Sequence, residues 1–180
     1  MAQELPPVRR IVTANRPDGT SYFAEDGPAP AVKTVAARPG FRVTNLWRTV
    51  GAPVDVNAPD ESRKHEGIQP PKLGNIFRII DFPPEPADPA ERKRIFEATF
   101  RSLYPDATKH APTEQQHPGM HTTITIDYAV VLEGELVAIM DHGETVMRTG
   151  DVLIQRATSH AWANRSGKLA RILFVLIDGK

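Results

Sequence analysis

His121-Thr-Thr-Ile-Thr-Ile-Asp-Tyr-Ala-Val-Val-Leu-Glu-Gly134 and, a hairpin later, Gly150-Asp-Val-Leu-Ile-Gln-Arg-Ala-Thr-Ser-His-Ala-Trp-Ala-Asn-Arg-Ser166 are the two stretches that decide the fold. Both alternate in polarity, and successive side chains of a strand point to opposite faces. In the first stretch His121, Thr123, Thr125 and Asp127 share one face, and Thr122, Ile124, Ile126 and Tyr128 the other. In the second, His160, Trp162 and Asn164 share a face. If both polar lines turn inward, two imidazoles and a carboxylate converge. Such a set suits iron, zinc or manganese with coordination positions left open for substrate.

Outward from these stretches the chain reads as a run of hairpins. Strands are expected over His121 to Leu132, Leu136 to Met140, Glu144 to Met147, Val152 to Gln155, Ser159 to Asn164 and Leu169 to Ile177. Tight turns carrying Gly134, Gly143, Gly150 and Gly167 separate most of them. Short strands at even spacing with glycine in the turns predict a sandwich or small barrel. No internal duplication appears, so one barrel is expected.

Proline divides the chain. All 17 prolines lie at or before Pro118. Proline lacks a backbone donor and is kept out of central strands. We therefore expect residues 1–113 to be a loop-rich extension packed on a barrel core at 114–180. Within the extension, Val8 to Ala14, a return strand from Ser21, Phe41 to Val50 and Asn75 to Phe82 read as strands. Asp26 to Pro30 and Pro53 to Pro71 read as loops. In Phe41 to Val50 the residues Phe41, Val43, Asn45 and Trp47 fall on one face. One amphipathic helix is predicted at about 88–104: Asp88 caps it, Pro89 suits its first turn, and Ile95, Phe96, Thr99, Phe100 and Leu103 follow at helical spacing. It packs outside a sheet, or serves as a lid or dimer contact.

The totals narrow the function. Twenty-two basic and 22 acidic residues give zero net charge, and no basic stripe suggests nucleic-acid binding. The absence of cysteine removes disulfides, thiolate nucleophiles and Cys-based metal sites. The longest apolar run, Ile172 to Ile177, is strand-sized, and no signal-peptide core opens the chain. The expectation is a cytoplasmic protein with no membrane partner. No nucleophile elbow, phosphate loop or HExxH pattern is present.

The two opening stretches resemble the cupin superfamily. Its first motif runs G-x5-H-x-H-x3-4-E-x6-G; His121 matches the first His, Asp127 stands in the Glu position, and Gly134 closes the motif. Its second runs G-x5-P-x-G-x2-H-x3-N; Gly150 opens it, His160 matches the His and Asn164 follows at the right interval. The departures are Thr123 for the second His, Asp127 for Glu, Arg156 for Pro and a loop to His160 that is one residue short. The resemblance implies an all-β protein: a single cupin (double-stranded β-helix, or jelly-roll) barrel of the small cupin 2 type. It implies a divalent metal (zinc, manganese, iron or nickel) on His121, His160 and Asp127, or a metal-free pocket lined by the same residues. His121, His160 and Asp127 are then the expected catalytic groups, Asp127 moving a proton if it is not a ligand. Thr123, Thr125, Trp162, Gln155 and His117 are the expected substrate contacts. His117 reads otherwise as a solvated loop residue, and Asn164 as fixing the turn after it. His65, His110 and His142 read as surface residues. The implied function is a metal-assisted lyase, decarboxylase or isomerase acting on a small carbonyl or carboxylate compound; the alternatives are an Fe(II) dioxygenase and a metal-free binding module. A homodimer is expected, with the N-terminal strands extending a sheet across the contact.

Overall fold

The computed structural model describes residues 4–107 and 116–180. Eleven strands and one α-helix are formed among them. In chain order the strands are β1 Arg9–Asn15, β2 Ser21–Pro28, β3 Ala31–Thr34, β4 Arg42–Thr49 and β5 Asn75–Phe82, then helix α1 Pro89–Leu103. There follow β6 Thr125–Glu133, β7 Glu135–Met140, β8 Glu144–Arg148, β9 Val152–Arg156, β10 His160–Ala163 and β11 Ala170–Asp178. Six strands make one antiparallel sheet in the order β3-β4-β5-β11-β6-β9, and three make a second in the order β10-β7-β8. One apolar core joins the two sheets: Val43, Ile76, Ile80 and Ile172 from the first meet Leu136, Ala138, Met147 and Trp162 from the second. The expected all-β barrel is present. No described helix is long and apolar enough to cross a membrane.

The proline boundary is not a structural boundary. β3, β4 and β5 precede residue 113, yet they are hydrogen-bonded members of the same sheet as β6, β9 and β11. β5 contains no proline, and it pairs along its length with β11 (Asn75 to Ile177 through Phe82 to Ala170). Proline is excluded from such strands but not from the loops between them, so proline content marks loop length here and not a domain edge.

Four further expectations are corrected. β2 runs on to Pro28, where a loop was expected from Asp26. The face predicted for Phe41 to Val50 is broken by a bulge between Asn45 and Trp47, which turns Leu46 into a second small cluster with Ala29 and Ile79. β4 lies between β3 and β5, so it has no free edge to offer a second copy; β1 and β2 form a separate two-stranded ribbon. The segment Pro53 to Pro71 is not wholly exposed. Ser62, His65 and Ile68 are buried there, and Arg10 of β1 reaches Asp60 at 2.7 Å.

α1 forms as its sequence dictates. The Asp88 side chain accepts from the Glu91 amide at 2.8 Å, Pro89 occupies the first turn, and Ile95, Phe96, Thr99, Phe100 and Leu103 are buried. Phe96, Thr99 and Phe100 line the barrel cavity, so α1 covers that cavity.

Candidate active site

β6 begins only at Thr125. Before it, His121 pairs with His160 at the end of the other sheet, and the two exchange both backbone hydrogen bonds at 3.0 Å. The chain therefore crosses from one sheet to the other between His121 and Thr125. That crossing sets the two rings 4.4 Å apart, centroid to centroid. The inward parity holds: His121, Thr123, Thr125 and Asp127 are buried, and Ile124, Ile126 and Tyr128 are exposed.

Each imidazole is oriented by a backbone carbonyl. His121 Nδ1 lies 2.9 Å from Gly119 O, and His160 Nδ1 lies 2.9 Å from Thr158 O. A carbonyl only accepts, so the Nδ1 atoms carry the protons that face these oxygens; the Gln155 amide nitrogen also lies 3.0 Å from His160 Nδ1. Burial pushes the His160 pKa down and keeps that ring neutral. Gln155 holds the loop around it: its amide nitrogen donates to Thr158 O at 3.0 Å, and its oxygen accepts from the Ala157 amide at 3.1 Å.

Both rings line one cavity. Its walls are largely aromatic and aliphatic, including Phe41, Phe82, Phe96, Phe100, Trp162 and Phe174. Asp127 is the acidic group among its described lining residues. The carboxylate is 4% exposed, and its Oδ1 is buried with no hydrogen-bond partner. Burial raises its pKa to about 6, against the opposing pull of the Thr125 hydroxyl and the Arg78 charge.

The cavity thus gathers His121, His160, Asp127 and Trp162, as expected from the sequence. Thr123, Thr125, Gln155 and His117 are not among its lining residues. Thr125 donates to Thr123 at 2.8 Å. His117 is not a solvated loop residue. Its Nδ1 accepts from the Gly119 amide at 3.1 Å, so the proton sits on Nε2, which donates to Glu85 at 2.9 Å in a buried pair. Asn164 fixes its turn as expected, donating to Lys168 O and Phe82 O at 2.7 Å each.

Two arginines escaped the sequence reading. Arg38, in the loop before β4, and Arg78, in the middle of β5, both line the cavity. Arg78 had a signal: it shares the inward parity of Ile76, Ile80 and Phe82, and an arginine on an apolar face demands a reason. His65 also had to be corrected. It is buried because its Nε2 accepts from Arg78 Nη2 at 2.7 Å, and burial beside that cation pushes its pKa down to about 3. His142 is exposed as expected, and His110 lies outside the described residues.

The donor set meets the expected metal only in part. Two imidazoles whose Nδ1 atoms are held by backbone carbonyls match the usual support of metal-bound histidine. Among the described residues, however, no three His, Asp or Glu side chains come together as a metal-holding group. Asp127 shares the cavity without completing a three-ligand set.

No protein-family model matches the chain. It is 33% identical over 142 residues to the cupin-domain-containing oxidoreductase srdD of Neurospora crassa, covering 75% of this chain and 57% of that protein. It is 28% identical over 179 residues to the cupin-domain-containing oxidoreductase fogC of Aspergillus ruber, covering 95% and 72%. The chain therefore spans little more than half the length of the first of these relatives. Among solved structures it is similar to a cupin 2 conserved barrel domain protein from Salinispora arenicola, at 12% identity and a TM-score of 0.42 over 81% of this chain and 82% of that one.

Proposed function

We propose that the chain is a small single-barrel cupin with a degenerate first motif, and that it is an enzyme that takes a small organic substrate into the barrel and moves a proton on it through Asp127. The observation that carries this reading is the Asp127 carboxylate, buried in an apolar cavity with Oδ1 unpartnered and its pKa raised to about 6. A base poised near neutrality gives up little driving force in either direction of transfer. The aromatic walls exclude water, and Arg78 lines the same cavity and offsets negative charge that develops on an enolate. The neutral His160 ring, with His121 beside it, faces the substrate's polar end. Enolisation or isomerisation next to a carbonyl follows from these parts. The relatives' names speak of oxidoreductases, and they lend no support to a decarboxylase.

Those names, together with the carbonyl-held histidine pair, favour a second reading. A divalent ion, if bound, would be held by Nε2 of His121 and His160, and it would supply Lewis acidity or, as iron, redox chemistry. Elemental analysis of protein purified without added metal separates the two.

The first reading is tested by incubating the protein with enolisable ketones and keto acids in heavy water and following deuterium incorporation next to the carbonyl by proton NMR. Asp127→Asn is expected to slow exchange by at least 100-fold, within the usual range for losing a general base, ~10²–10⁴. His160→Ala is expected to slow it as well, with the fold retained by circular dichroism. Exchange at the unaltered rate in the Asp127→Asn protein would remove this carboxylate from the chemistry.

A further inference from the structure

The cavity holds more positive than negative charge. Two guanidinium groups line it, Arg38 at 5% exposure and Arg78 at 1%, and Asp127 is the one carboxylate among its described lining residues. Neither arginine makes an ion pair among the described residues. Arg78 is satisfied by neutral acceptors: His65 Nε2 at 2.7 Å, Ile68 O at 3.4 Å and Gly67 O at 3.5 Å, with its Nε left unpartnered. Arg38 is held by rings instead. Its guanidinium carbon stands 4.4 Å from the centroid of Phe41, 4.3 Å from Phe96 and 5.6 Å from Phe82. Its Nη2 is buried without a hydrogen-bond partner, and the Tyr104 hydroxyl lies on the same cavity beside Arg78. Glu85, whose charge Arg38 feels, is committed to His117 at 2.9 Å and Arg165 at 3.6 Å.

A buried, unpaired guanidinium is costly, and structures keep one where an anion comes to meet it. Arginine's planar fork suits a carboxylate in particular. The aromatic walls suit a flat apolar body. We propose that the cavity binds a monocarboxylate with an aromatic or similarly flat apolar body, its carboxylate paired with Arg38. Calling this ligand a substrate rests on the enzymatic reading above; the binding itself does not. The unpaired charge on the cavity wall is then neutralised when the site fills. The orphaned Nη2 of Arg38 becomes the donor that reads the carboxylate, and the rings that flank Arg38 enclose the ligand's body.

The test uses the full chain and three probes: benzoate, its neutral isostere benzamide, and acetate, which has the charge without the ring. Binding is followed by calorimetry and by the fluorescence of Trp162 on the cavity wall. Benzoate is expected to saturate one site per chain, with benzamide and acetate at least tenfold weaker. Arg38→Met keeps a packing stem between the rings and removes the charge; it is expected to weaken benzoate at least tenfold and to leave benzamide unchanged, with Arg38→Lys in between. Should Arg38→Met fail to fold by circular dichroism, the ratio of benzoate to benzamide on the unaltered protein decides alone. Equal affinities for benzoate and benzamide, or benzoate bound as tightly by a folded Arg38→Met protein, overturn the proposal. Asp127→Asn separates this from the proton chemistry: it is expected to bind benzoate at least as tightly while losing deuterium exchange. Benzoate binding without any exchange removes the catalytic reading and leaves the carboxylate site. Exchange on neutral ketones with no preference for benzoate does the reverse.

Discussion

At the scale of single residues, Asp127 is a titrating group with a thermodynamic signature of its own. Its folded pKa is about 6 against an ordinary 3.8. A carboxyl whose pKa is raised on folding contributes most below the lower value, and the contribution is lost as pH rises through the higher one. The window therefore runs from about pH 4 to pH 6. A rise of that size corresponds to about 2–3 kcal/mol at most. Asp127→Asn has no charge to bury, so it should gain on the unaltered protein by about that amount between pH 4.5 and pH 7.5, read as the difference in denaturant midpoints at the two values. A difference that does not move with pH would mean that the carboxylate is not desolvated. The sequence made this residue visible because strand parity needs only a count of two, and that count put His121, Asp127, His160 and Trp162 inside. It could not show Arg38. That side chain sits in a loop without periodicity and reaches the cavity only because Phe41, Phe82 and Phe96, from three separate elements, converge on it.

At the scale of elements, the cover over the cavity depends on one close approach. Gly119 sits where a Cβ would stand 2.8 Å from Phe96 Cε1 and 3.0 Å from His117 Nδ1. Its carbonyl also holds His121. Gly119→Ala should therefore push α1 off the cavity and loosen the His121 ring together. Overpacking of this kind costs about 1–3 kcal/mol. The expected readout is a lower unfolding midpoint with faster amide hydrogen exchange in α1 than in β11. Protection lost equally in both would show global weakening and not a displaced cover. α1 itself was legible, since its cap, its proline and its apolar spacing are all local. The bulge in β4 and the placement of His65 were not, because each is fixed by a partner far along the chain: Phe77 and Arg78 of β5.

At the scale of the whole molecule, the question is whether residues 114–180 hold a complete core. The motif-bearing half is legible in the sequence, and its turns and strands form close to where the glycines place them. Its self-sufficiency is what proline content misrepresented. β11 is a central strand flanked by β5 and β6, and its inward residues Ile172, Phe174 and Leu176 pair with Ile80, Arg78 and Ile76 of β5. Without β3 to β5 those residues lose one side of their enclosure, and the cavity loses Arg38, Phe41, Arg78, Ile80 and Phe82. At about 1.5–3 kcal/mol for each large apolar side chain returned to water, the loss exceeds the few kcal/mol that hold a small domain folded. Expressed alone, 114–180 should show neither a cooperative unfolding transition nor a dispersed amide spectrum, while the full chain unfolds in one step. A well-dispersed spectrum from the fragment would mean that the second half carries a core of its own and that β3 to β5 are accessory strands. The site would then be an addition to a finished barrel, whereas the strand order makes the cavity and the core a single construction closed by both halves of the chain.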